Sequence, residues 1–189
     1  MSQADAAVYG LTADGLLAAR IGDFGCFAVP GDGGLRLAIA RCTGKPVAEW
    51  TASDALASEG IVGDETAFRA HVEDIAHHRR QLRGLARAHV ATSRLTPWGT
   101  AQQETVYGEG VIFVSTASHG GFHLSEKRLA GLDPLLHVDG GWYEEDVEWA
   151  KVALAFPDLF TDRENAAADR TVRAWFPLIW QALGGRHDS

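Results

Sequence analysis

The chain has 189 residues, 46% of them hydrophobic and 22% charged, which are the proportions of a globular protein. Wholesale disorder and fibrous repeats are thereby excluded, and the length suits one domain or one domain with an N-terminal appendage. A formal net charge of -8 argues against a basic nucleic-acid scaffold, so no direct nucleic-acid binding is expected.

The opening MSQADAAVYG has no basic stretch followed by an apolar core, and no apolar run approaches ~18 residues. A cytoplasmic protein without a membrane partner is the expectation. Its two cysteines, Cys26 and Cys42, are expected as buried reduced thiols.

In chain order, residues 11–20 read as a short helix or a lead-in to a strand. Residues 23–30 and 35–42 are strand-like, and Gly31-Asp32-Gly33-Gly34 joins them as a hairpin. Residues 53–59 suggest a short helix closed by Gly60. Asp64 then caps a longer helix, predicted to run to about Val90, with an apolar stripe of Phe68, Val72, Ile75, Leu82, Leu85 and Ala86. The stretch 91–99 carries Ser93, Thr96, Pro97 and Gly99 and is the expected boundary between a piece 1–92 and a piece 93–189.

Two further strands, 101–107 and 111–116, are predicted to turn at Gly108-Glu109-Gly110. The unbroken Val111-Ile112-Phe113-Val114 run predicts a strand covered on both faces. A loop from Ser118 to His123 follows, then a short helix capped by Ser125 and ended by Gly131. A helix is predicted over 142–156. Thr161-Asp162-Arg163-Glu164 is a capping box that opens the last helix, which Pro177 breaks or kinks. Hairpin pairs with helices between and after them predict an α+β fold, a small antiparallel sheet built from hairpins and packed by several helices.

Two segments carry groups with chemistry. Ser115, Thr116, Ser118, His119 and His123 lie close together, and Gly120 and Gly121 let backbone approach a ligand. On a helical wheel, Glu145 shares a side with Trp149, Val152 and Phe156, and Asp146 flanks the same apolar arc. An acid on a buried face needs a base, a metal or hydrogen-bond donors. In one arrangement Glu145 orients His119, which activates the Ser118 hydroxyl or a water. In another, His119, His123 and Asp146 hold a divalent metal such as Zn or Mn. Trp98 and Tyr143 would wall the site, with Gln102, Gly120 and Gly121 against the substrate. A third group, His71, Asp74, His77 and His78, reads as a solvated helix face before it reads as a metal site.

The strings Thr96-Pro97-Trp98-Gly99, Ser115-Thr116-Ala117-Ser118-His119-Gly120-Gly121-Phe122-His123-Leu124-Ser125 and Gly141-Trp142-Tyr143-Glu144-Glu145-Asp146 resemble an uncharacterised proteobacterial family. So do Gln102, Trp149-Ala150 and Phe156-Pro157. The resemblance covers residues 95–180 and carries no known reaction. It implies a gene found among plasmids, phages and integrated elements.

Two functions follow as expectations. The first is an accessory protein of a bacterial mobile element that hydrolyses a small molecule, with a metal or with histidine alone. The second is an acidic counter-defence inhibitor that binds a host nucleic-acid-directed defence protein. It rests on charge asymmetry: residues 1–100 hold 11 acids and 10 bases, and residues 101–189 hold 14 and 7, so the halves carry -1 and -7. The tryptophans would also suit a homo-oligomer interface.

Overall fold

A computed structural model describes residues 6–41 and 44–184, so Cys42 lies outside the described residues. The fold is α+β, and the chain divides into two compact units, Met1–Arg80 and Gln81–Ser189.

The first unit is an antiparallel meander of β1 (Val8–Leu11), β2 (Leu17–Ile21), β3 (Phe24–Gly31), β4 (Gly34–Arg41) and β5 (Ala57–Val62), in that order. The β3–β4 hairpin turns where Gly33 and Gly34 take φ of 89° and 141°, values open to glycine. Alternation along the strands sends Ala19, Ile21, Cys26, Ala28 and Leu37 to one face and Ala18, Phe27, Ala38 and Ala40 to the other. Phe68, Val72, Ile75 and Ala76 of α1 (Glu65–Gly84) close the first face, and Val47 and Trp50 close the second. Asp64 Oδ1 accepts from Ala67 N at 2.8 Å and opens α1.

Residues 11–20 take the strand reading and hold the turn of the β1–β2 hairpin. Two other expectations about this half change. The short helix expected over 53–59 is reduced to a 3-10 turn at Ala52–Asp54, and the chain from Ala57 on enters β5, where pairing with β4 satisfies its backbone groups. The long helix stops at Gly84. Ala86 turns the chain with φ of 47°, and β6 (Ala88–Ala91) joins a sheet instead.

The second unit holds a five-stranded antiparallel sheet in the order β12-β11-β10-β9-β6, where β9 is Gln103–Gly108, β10 Val111–Ser115, β11 Gly120–Leu124 and β12 Trp142–Glu144. A small hairpin of β7 (Leu95–Thr96) and β8 (Gly99–Thr100) precedes it. Helices α2 (Glu126–Ala130), α3 (Trp149–Ala155), α4 (Asp162–Trp175) and α5 (Pro177–Ala182) follow. The core joins Val111, Phe122, Leu124 and Tyr143 of the sheet to Ala150, Val152 and Ala153 of α3 and Ala168 and Val172 of α4. Ser125 caps α2, and the Thr161–Glu164 box opens α4 through Thr161 N to Glu164 Oε2 at 2.8 Å and Glu164 N to Thr161 Oγ1 at 3.2 Å.

Two expected elements are replaced. The Gly120–His123 stretch is strand, not loop. The expected helix over 142–156 begins only at Trp149. Gly140 and Gly141 turn with φ of 75° and 70°, and the next three residues pair with Gly121, Phe122 and His123. No helix among the described residues is long and apolar enough to cross a membrane.

Each of the chain's three tyrosines is held protonated beyond its ordinary range. Tyr9 is pushed up to about 12 by burial and by Glu73, whose Oε1 accepts its hydroxyl proton at 3.0 Å. Burial raises Tyr107 and Tyr143 as well. The folded chain therefore holds more protons than the unfolded chain above pH 10, the ordinary tyrosine value. The stabilisation is complete below pH 10 and is lost as pH climbs toward about 12. We expect tyrosinate absorbance to appear together with loss of near-ultraviolet dichroism. Three tyrosines titrating near pH 10 in a still folded chain would contradict it.

Candidate active site

The site is built at one end of the second sheet. A tight turn links β10 to β11: Thr116 N and Oγ1 both donate to His119 O at 2.7 Å, and His119 N donates to Thr116 Oγ1 at 3.1 Å. This turn fixes the backbone of His119 and leaves Ser118 and His119 exposed. Across the sheet, Glu145 follows β12, and its N–H donates to Gly120 O at 3.1 Å.

The turn 144–148 is held by its own carboxylates. Glu144 Oε2 accepts from Asp146 N at 2.9 Å, Glu148 Oε2 accepts from Glu144 N at 3.4 Å, and the buried Lys151 Nζ reaches Glu148 Oε1 at 3.4 Å. Glu145 thus stands on a braced loop, with one carboxylate oxygen 3.9 Å from His119 Nδ1. That is an ion-pair distance, longer than a hydrogen bond. A Cβ on Gly120 would meet Glu145 Oε2 at 2.6 Å, Val114 O at 2.8 Å and Phe113 Cζ at 2.9 Å. Only glycine leaves room for the carboxylate over this strand.

Glu145 also lines a cleft of about 470 Å³ with Tyr107, Phe113, Phe122, Trp149, Phe160 and Glu164. A neighbouring hollow of about 600 Å³ shares Tyr107 and Phe113 and adds Arg87, His89 and Thr105. Within them, His89 Nδ1 lies 3.0 Å from Thr105 Oγ1. Arg87 grips Glu164 through Nη1–Oε1 at 2.9 Å and Nη2–Oε2 at 2.7 Å, donates to Leu159 O at 2.9 Å, and lies 3.9 Å over the Tyr107 ring. The floor is aromatic, and Glu145 is the wall carboxylate that adjoins an imidazole.

Other residues singled out from the sequence sit elsewhere. Trp98, on the turn between β7 and β8, covers the sheet face opposite the helices. Its ring meets Trp142 edge-on at 5.8 Å, and a Cβ on Gly121 would strike that ring and the Tyr143 carbonyl. His123 pairs with Trp142 on that same face, its ring 4.3 Å from the indole. Burial, then the charge of Arg94, lowers the His123 pKa against a smaller opposing effect of Glu104. Tyr143 is fully buried in the core. Gln102 donates its backbone N–H to Ser115 O at 2.8 Å and has an exposed side chain. Trp98, Gly121 and Tyr143 therefore hold the sheet together and do not wall the cleft.

The expected ligand set of His119, His123 and Asp146 is not assembled. His119 stands on the turn, His123 stacks on Trp142, and Asp146 is exposed beyond Glu145. Among the described residues, no three His, Cys, Asp or Glu side chains gather so as to hold a metal. That includes the α1 group, where His71 Nε2 lies 3.7 Å from Glu59 Oε2.

Tyr107, Phe113, Thr105 and His89 were not legible as site residues in the sequence, and Arg87 stood there only as one of a basic run able to touch phosphate or an acidic partner. Strand alternation places Thr105 opposite both His89 and Phe113, which is the signal that would have found three of them. Arg87 was hidden inside an apparent helical run of arginines.

Residues 91–189 match the model of a family described as Domain of unknown function (DUF7007). No curated protein matches the chain, and no solved structure does.

Proposed function

The chain belongs to the DUF7007 family, and from that premise we propose that its second unit is a small-molecule hydrolase in which His119 acts as general base, oriented by Glu145. One observation carries this reading: an exposed imidazole 3.9 Å from a carboxylate that lines an aromatic cleft. With Nδ1–H turned to the carboxylate, Nε2 is left to take a proton from water or from the Ser118 hydroxyl. Glu145 then stabilises the imidazolium as it forms. Closing the pair to hydrogen-bond distance on substrate binding is ordinary for such dyads. The histidine-only version has more support than a metal-assisted one, because the available ligands are dispersed. In the mobile-element setting that the motif strings imply, such a catalyst would be an accessory enzyme.

The acidic inhibitor has less support. Several of its acids are already paired with bases: Glu104 with Arg94, Glu109 with Lys127, Glu148 with Lys151 and Glu164 with Arg87.

A panel of chromogenic carboxylic esters, phosphodiesters and amides tests the proposal. One class is expected to turn over, and His119→Gln and Glu145→Gln should each lower kcat/KM by about 100-fold or more. Both side chains are substantially exposed, so neither change should alter the melting temperature. Ser118→Ala separates a nucleophile from a bystander. Full rates in both dyad variants, or no turnover of any class by the wild type, would overturn the reading.

A further inference from the structure

A third cavity, of about 340 Å³, lies away from the dyad between the segment after α2 and helices α3, α4 and α5. Its walls include Leu132, Leu136, Leu154, Phe156, Trp180 and Leu183, an apolar lining of the kind that takes organic ligands. Among the described residues, its charged lining is Asp133 and Asp169, with no base beside them. Each carboxylate is anchored by one oxygen. Asp169 Oδ1 accepts from Trp180 Nε1 at 3.1 Å, and Asp133 Oδ1 accepts from Leu135 N at 2.9 Å. The second oxygen of each remains to accept from a ligand. Arg128 and Arg173 lie over the rings of Phe156 and Trp180, and neither lines the cavity.

We infer that this cavity binds an organic ammonium ion with an apolar or aromatic body. The body replaces water against the leucines and the two rings. The ammonium donates to Asp169, whose position is set by the indole of Trp180, and a charge-assisted bond at an apolar wall favours a cation over an anion. The assignment is independent of the His119 reading.

Isothermal titration of the full chain with 3-phenylpropylammonium, 3-phenylpropan-1-ol and 3-phenylpropanoate tests it, since the three differ only in the head group. The ammonium is expected to bind about tenfold or more tighter than the carboxylate. Asp169→Asn keeps an acceptor for Trp180 and should erase that preference. Ala155→Leu fills the cavity and should abolish binding of all three, with folding checked by dichroism. Equal affinity for ammonium and carboxylate, a preference unchanged in Asp169→Asn, or no binding of any probe would overturn the inference.

Discussion

Gly121→Ala is expected to destabilise the second unit by about 3 kcal/mol or more, at the upper end of overpacking costs. The added methyl would strike the six-membered ring of Trp98 and the carbonyl of Tyr143. The carbonyl belongs to paired backbone in β12, so it cannot move without loosening the sheet. The indole is wedged edge-on against Trp142 and has little more freedom. Urea denaturation followed by tryptophan fluorescence measures the loss. A Gly121→Ala, Trp98→Ala double variant should be less destabilised than the sum of the two single changes, because removing the indole relieves part of the clash. Gly131→Ala is the control. A Cβ there meets only Arg128 O at 3.9 Å, and the change should stay within about 0.5 kcal/mol. A Gly121→Ala protein as stable as the wild type would mean that Trp98 does not sit where the structure has it.

Arg87→Met should cost about 3 kcal/mol, the scale for breaking one partner of a buried ion pair. The Arg87 side chain is 10% exposed and that of Glu164 23%, so a carboxylate that loses this guanidinium would not be resolvated fully. Glu164 also caps α4, and Arg87 ties Leu159 O and the Tyr107 ring to the same point. One guanidinium thus joins the segment before β6 to the start of α4. Arg87→Lys should recover little, because an ammonium cannot make the two parallel bonds or lie flat on the ring. The comparison is Lys127→Ala. That pair with Glu109 is 81% and 82% exposed, and its loss should cost less than about 0.5 kcal/mol. Chemical denaturation of the three variants decides the point, and similar values for Arg87→Met and Lys127→Ala would contradict it.

The glycines and aromatics in the motif strings divide between two jobs. Gly121, Trp98, Trp142 and Tyr143 lock the sheet. Gly120, His119 and Glu145 shape the cleft end. Gly120 and Gly121 are neighbours yet serve opposite faces, because a strand alternates its sides at every residue.

Local chemistry in the sequence was enough for the elements whose signals are local. Glycine turns marked the β3–β4 and β9–β10 hairpins, Asp64, Ser125 and Thr161 marked helix starts, and Pro177 marked the break between α4 and α5. The α+β class followed from that level, and the motif strings carried the resemblance to the family. Tertiary structure decided β5, β6, β11 and β12. These strands are short or rich in glycine and alanine, and they exist because a neighbouring strand satisfies their backbone groups. It also decided the neighbourhood of Glu145. The helical wheel set that residue beside Trp149 through a helix that does not form there, whereas strand pairing and the 144–148 turn carry it over Gly120 and toward His119. A side chain's face depends on the period of its element, and the period of a three-residue strand is set by its partner.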